Sequence, residues 1–105
     1  MSEAAVHVAR FNTAVTTGDW AVFLAALHPD AVMAFIGPPA GPFRGREAIA
    51  AAYAAQPPDD TIEIHGVRSD GSRDVITFAW SRGGTGTLTL LRRDGLVAEM
   101  TIAFD

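Results

Sequence analysis

The chain has 105 residues, 49% of them hydrophobic and 19% charged, with a net charge of −4. That is room for one domain and one core, and too apolar a mixture for a disordered chain. There is no cysteine, which excludes disulfides, a thiol nucleophile and thiolate metal sites. All eight cations are arginine, so a Schiff base on a lysine side chain is excluded too. Arginine without lysine, beside abundant alanine, is the composition a GC-rich bacterial genome produces. The acidic balance and scattered arginines argue against a nucleic-acid partner. No apolar run approaches the ~20 residues of a membrane span. The N-terminus lacks the basic start and apolar stretch of a signal peptide, so a cytoplasmic location is expected.

In chain order, Ala4, Val8, Phe11 and Val15 stand at helical spacing and predict a helix over Glu3 to Thr17. Gly18 ends it, and Asp19 is placed to cap a second helix. Trp20, Phe23, Leu24 and Leu27 form one apolar face of that helix, which stops at His28-Pro29. Ala31 to Ile36 reads as a short strand, and Gly37 to Pro42 as a loop. A third helix begins near Gly45 or Arg46 and runs to about Gln56, with Ile49, Ala52 and Tyr53 inward and Pro57-Pro58 as its stop. Four strands follow: Thr61 to Val67, Asp74 to Arg82, Thr85 to Arg93 and Leu96 to Phe104. Asp70-Gly71 and Asp94-Gly95 mark hairpin turns between them. Helices first and an antiparallel meander after them predict an α+β domain of order α-α-β-α-β-β-β-β. A twisted sheet of this kind curls around its helices and leaves one open end.

Gly18-Asp19, Pro29-Asp30-Ala31 and the segment Phe43-Arg44-Gly45-Arg46-Glu47-Ala48-Ile49 come in an order that resembles the NTF2-like superfamily, in its SnoaL-like and ketosteroid-isomerase-like branch. The resemblance spans nearly the whole chain, residues 1–105 as a single domain. It implies a cone: a curved antiparallel sheet around three helices, often dimeric through the outer sheet face. Family members include isomerases, polyketide cyclases, epoxide hydrolases and non-catalytic domains, so the fold does not choose an activity.

Ketosteroid isomerases use an Asp base with an oxyanion hole of a Tyr and a protonated Asp. By this resemblance the catalytic Tyr falls on Phe11, the base on Phe35 and the protonated Asp on Thr87, while Tyr53 and Met100 match pocket residues. Phenylalanine transfers no proton at any pH, so that chemistry is not expected here. Phe11, Phe35, Tyr53, Thr87 and Met100 are the expected lining of an apolar pocket for a small hydrophobic molecule, with Tyr53 its polar handle. No catalytic residue is assigned, and no cofactor is expected. A homodimer is expected. The alternatives are a non-catalytic dimerisation or accessory module with a filled cavity, or an isomerase- or cyclase-type enzyme using Glu99, His7 or Asp30.

The remaining candidates read as structural. His7, His28 and His65 have no ligand spacing, so no metal site is expected. His7 is expected on the solvent side of the first helix, and His28 at a helix end. Ser81 sits in a loosened elbow-like sequence followed by a strand rather than a helix. Gly83 to Gly86 reads as a hairpin with a bulge, not a phosphate cradle. Asp59-Asp60 reads as a solvated turn. Arg44 and Arg46 flank the third helix, as candidates for an acidic ligand group or for surface ion pairs. Trp20 and Trp80 are core residues or stacking platforms.

Overall fold

The computed structural model describes residues 2–105. Helix α1 (Glu3–Thr17) and a short α2 (Ala21–Ala25) come first. Strands β1 (Leu27–Ile36) and β2 (Phe43–Arg44) lead to helix α3 (Arg46–Ala55). Strands β3 (Ile62–Asp70), β4 (Arg73–Trp80), β5 (Thr85–Arg93) and β6 (Leu96–Phe104) complete the chain. The strands form one curved, unclosed sheet of order β2-β1-β6-β5-β4-β3, wrapped around three helices.

Helix α1 is closed at both ends, whereas α2 takes Trp20 and not Asp19 as its N-cap residue. The Ser2 hydroxyl accepts from the Ala5 amide at 3.1 Å and caps α1. Gly18 ends the helix with φ of 79°, and its amide donates to Ala14. Asp19 Oδ1 accepts from the Ala21 amide at 3.0 Å, which turns the chain into α2. The hairpin between β3 and β4 turns at Gly71-Ser72, one residue beyond the expected Asp70-Gly71. The expected turn at Asp94-Gly95 forms, and both residues have positive φ as a tight two-residue turn requires.

Phe43-Arg44, where no strand is expected, pairs with β1 as the short strand β2. Two further features differ from expectation. α2 stops at Ala25, and Leu27 already belongs to β1, opposite Val97 of β6. His28 is therefore a strand residue and not a helix end. The pairing is irregular between Leu27 and Val32, where Pro29 has no amide to contribute. The second difference is in the sheet. β1 runs parallel to β6, with Met33 opposite Met100 and Phe35 opposite Ile102. The sheet is therefore mixed, its other pairs being antiparallel.

The concave face carries the core. Met33, Ile76, Leu90 and Met100 are essentially sealed from solvent, and Phe23 and Ile49 meet them from the helices. Each such burial stabilises by roughly 1.5–3 kcal/mol. Gly86 of β5 is a fitted gap: a Cβ there would lie 2.6 Å from the Phe78 ring and 2.6 Å from the Ala103 carbonyl.

Edge strand β3 and the start of β1 are each tied to a helix. The Asn12 side chain on α1 donates to the Ile62 carbonyl and accepts from the Ile62 amide, both at 2.9 Å. The Arg46 guanidinium at the start of α3 donates to the Leu27 carbonyl, Nε at 3.1 Å. Arg46 is thus spent on the backbone and not offered to a ligand. Asn12→Ala strips both partners from Ile62 on the edge strand. A loss of about 1–3 kcal/mol is expected in urea denaturation, the cost of leaving buried backbone groups unpaired.

Candidate functional site

The open end of the cone holds a cavity of about 510 Å3. Its volume lies in the range of small-molecule sites. Phe11, Phe35, Tyr53 and Met100 all line it. Thr87 does not. It alternates with buried Leu88, which lines the cavity in its place, and belongs with Thr89 and Leu91 to the outer face. A shift of one residue along a strand exchanges the two faces, and that is the size of the difference.

The deep wall is a cluster of rings. Phe23 sits at its centre, edge-on to Tyr53 at 5.7 Å and tilted against His7 at 5.2 Å. Trp20 lies flat on Tyr53, 4.3 Å away with 9° between the planes. Trp20 does not line the cavity; it holds the tyrosine ring from behind. Nearer the mouth, Trp80 stands edge-on to Phe78 and stacks with Phe104 at 5.6 Å.

His7 is the residue that sequence reasoning misplaced. It is only 4% exposed, and it lines the cavity. The missed signal is positional: residue 7 falls on the stripe of Ala4, Val8 and Phe11, so the helix turns its imidazole inward regardless of polarity. Burial lowers its pKa from 6.5 to about 4, assisted by the charges of Arg92 and Arg10. His7 is therefore neutral near pH 7. Burial also pushes the Tyr53 hydroxyl well above its ordinary value, so it stays a phenol. Among the described residues neither side chain has a hydrogen-bond partner. The one fully enclosed side-chain polar atom without a partner is Arg92 Nη2. The Tyr53 hydroxyl thus keeps a surface open to space rather than protein.

Behind His7 lies a second hollow of about 480 Å3, with Arg10, Arg92 and Glu3 in its wall. Arg92 is anchored there. It pairs with Asp74, which is 5% exposed, and its Nε lies 3.7 Å from Glu3. Burial works to raise the Asp74 pKa, but a 2.7 Å bond from Ser69 and the Arg92 guanidinium outweigh it and lower it.

Other candidates fall outside the cavity. Glu99 is exposed on the outer face, and Asp30 is exposed near the start of β1. Asp30 lends its amide to His28 Nδ1 at 3.0 Å. His65 is exposed beside Glu63 on β3. Ser81 bonds Thr61 and has no imidazole partner. Asp59 and Asp60 lie on the cavity mouth and hold Arg82, rather than forming a free turn. No group of three metal-ligating side chains converges among the described residues. No helix is long and apolar enough to cross a membrane.

A curved, unclosed sheet around three helices with a cavity at its open end defines the NTF2-like class. Residues 8–100 match the SnoaL-like domain family, and the chain belongs to it. No curated protein matches. Among solved structures, TerC co-crystallised with polyporic acid superposes with a TM-score of 0.77 at 19% identity, covering 99% of this chain and 92% of TerC. A candidate SnoaL-like polyketide cyclase from Jannaschia sp. CCS1 gives 0.74 at 16% identity, over 93% of this chain and 82% of that one. An NTF2-like protein of unknown function from Burkholderia pseudomallei gives 0.73 at 18% identity, over 100% and 92%. At these identities the likeness is one of fold.

The His7 pKa carries a stability signature. Its folded value, about 4, lies below the ordinary 6.5, so the unfolded chain takes up the proton first. Stability from this group is complete above pH 6.5 and is lost as pH falls towards 4. The full span is about 3 kcal/mol. His7→Leu should flatten that stretch of the stability–pH curve in denaturant titrations; an unchanged slope would refute the burial argument.

Proposed function

We propose that this protein binds a small hydrophobic ligand, aromatic or polycyclic, in the cone's cavity. The observation that carries the reading is the pairing of an apolar, ring-lined space of about 510 Å3 with two buried, uncharged and unpartnered polar groups, Tyr53 and His7. The rings supply affinity without direction. The phenol donates, and the neutral imidazole can donate or accept, so the two orient a ligand hydroxyl or carbonyl. Proton transfer of the ketosteroid-isomerase kind is not part of the proposal, because the resemblance places its tyrosine and its base on Phe11 and Phe35, and beside Thr87 it is Leu88 that faces the cavity. A filled accessory module fits a cavity of this size poorly. The test is titration with 2-naphthol, followed by tryptophan fluorescence and calorimetry. Tyr53→Phe should weaken binding by about five- to tenfold, the worth of one hydrogen bond. Equal affinity removes Tyr53 from the site.

A second reading is an isomerase- or cyclase-type enzyme. What favours it is the placement of His7, the one acid/base candidate of Glu99, His7 and Asp30 that lines the cavity. An imidazole with a pKa of about 4 is a feeble base at neutral pH. Binding therefore takes precedence over turnover in the proposal.

The proposed assembly is a homodimer through the outer sheet face. Val32, Ala34, Thr87, Thr89 and Thr101 are half-buried there without a covering layer, and all are small or β-branched. Ile36 extends the patch at 59% exposure. Light scattering should return twice the chain mass. Thr89→Arg, which places a charge in the centre of the face, should return the monomer mass.

A further inference from the structure

The charge on the cavity is of one sign. Asp59, Asp60 and Asp105 contribute to its rim, and no arginine lines it. Only Asp59 has a full counter-charge, with Arg82 Nη1 3.0 Å from its Oδ2. Asp60 Oδ2 accepts the Arg82 backbone amide at 3.0 Å, and Asp105 Oδ2 accepts the Thr85 hydroxyl at 2.6 Å. Those donors are neutral. Two carboxylates at the mouth therefore carry charge that no described cation pairs with. Below them lies a wall of π-faces, Trp80 on Phe104 with Phe78 edge-on. Deeper still, Tyr53 and His7 are more than nine-tenths buried, uncharged and without partners among the described residues.

Each ligand charge meets this arrangement differently. An organic acid passes like charges at the mouth and finds no cation inside. A neutral molecule gains the apolar contact alone. An aromatic amine gains that contact, the attraction of its ammonium to the ring faces, and the field of the rim carboxylates in a low-dielectric cleft. We infer that the cavity selects a lipophilic cation, an aromatic or polycyclic amine. Its apolar body lies among the rings and its ammonium at the mouth beside Asp60 and Asp105. The inference rests on the ligand-binding reading above and supplies its ligand class.

Three probes with one skeleton test it: 2-naphthylmethylamine, 2-naphthylmethanol and 2-naphthoic acid, titrated calorimetrically near neutral pH at low and high salt. The amine should bind about tenfold tighter than the alcohol, the acid weakest, and the amine's advantage should shrink with salt. The paired Asp60→Asn and Asp105→Asn variant should bring the amine to the alcohol's affinity and leave the alcohol unchanged. Each asparagine keeps one carbonyl oxygen, enough to accept the single bond from Arg82 or Thr85, and the wild-type ranking stands as a test whether or not the variant folds. An alcohol that matches the amine, or an amine unaffected by the paired variant, overturns the inference and leaves the hydrophobic-ligand reading intact. If none of the three binds, both fall together.

Discussion

The fold depends on keeping an unclosed sheet wrapped. A six-stranded sheet with two free edges has no ladder to hold its ends near each other. Here the helices do that from inside. Asn12 grips the backbone of Ile62 on edge strand β3, and Arg46 grips Leu27 at the start of β1. Both contacts are made to backbone, so they hold strand position rather than one side chain against another.

The cavity is apolar because the residues turned into it are. Along β4, β5 and β6 the alternation places Phe78, Leu88 and Met100 on the concave face, and on β1 it places Phe35 there. The ring cluster then has one consequence for chemistry. With Phe23 between them, His7 and Tyr53 are held in a medium that disfavours charge, and both remain neutral. Neutral, oriented hydrogen-bonding groups in an aromatic wall suit recognition. They do not suit the abstraction of a proton, for which a carboxylate or a more basic imidazole is needed.

Much of this was legible in the chain. The bounds of α1 and of the last two strands follow from periodicity and turn residues, because those signals are local: Gly18 acts within one helical turn, and Asp94-Gly95 within one hairpin. Phe11, Phe35, Tyr53 and Met100 were placed by a family resemblance, and they line the cavity. Thr87 was placed by the same resemblance and lies on the other face. In a strand the side chain's direction changes at every residue, so a resemblance that is off by one position exchanges the two faces. α2 was read too long because Leu24 and Leu27 keep helical spacing, while the partner that takes Leu27 into a strand, Val97, lies at the far end of the chain.

The sequence alone determined the class of domain and most of the order of its elements, since both depend on which residue stands at which position. Only the tertiary structure decided what those residues do together. The parallel pairing of β1 with β6, the two hydrogen bonds between Asn12 and Ile62 and the carboxylates at the mouth each join residues distant in the chain. Their free energies come from a shared environment, desolvation and geometry, which no local pattern encodes. Short local motifs identify the fold, whereas the character of the cavity was settled by which residues from α1, α2, α3 and the strands the fold turns to face it.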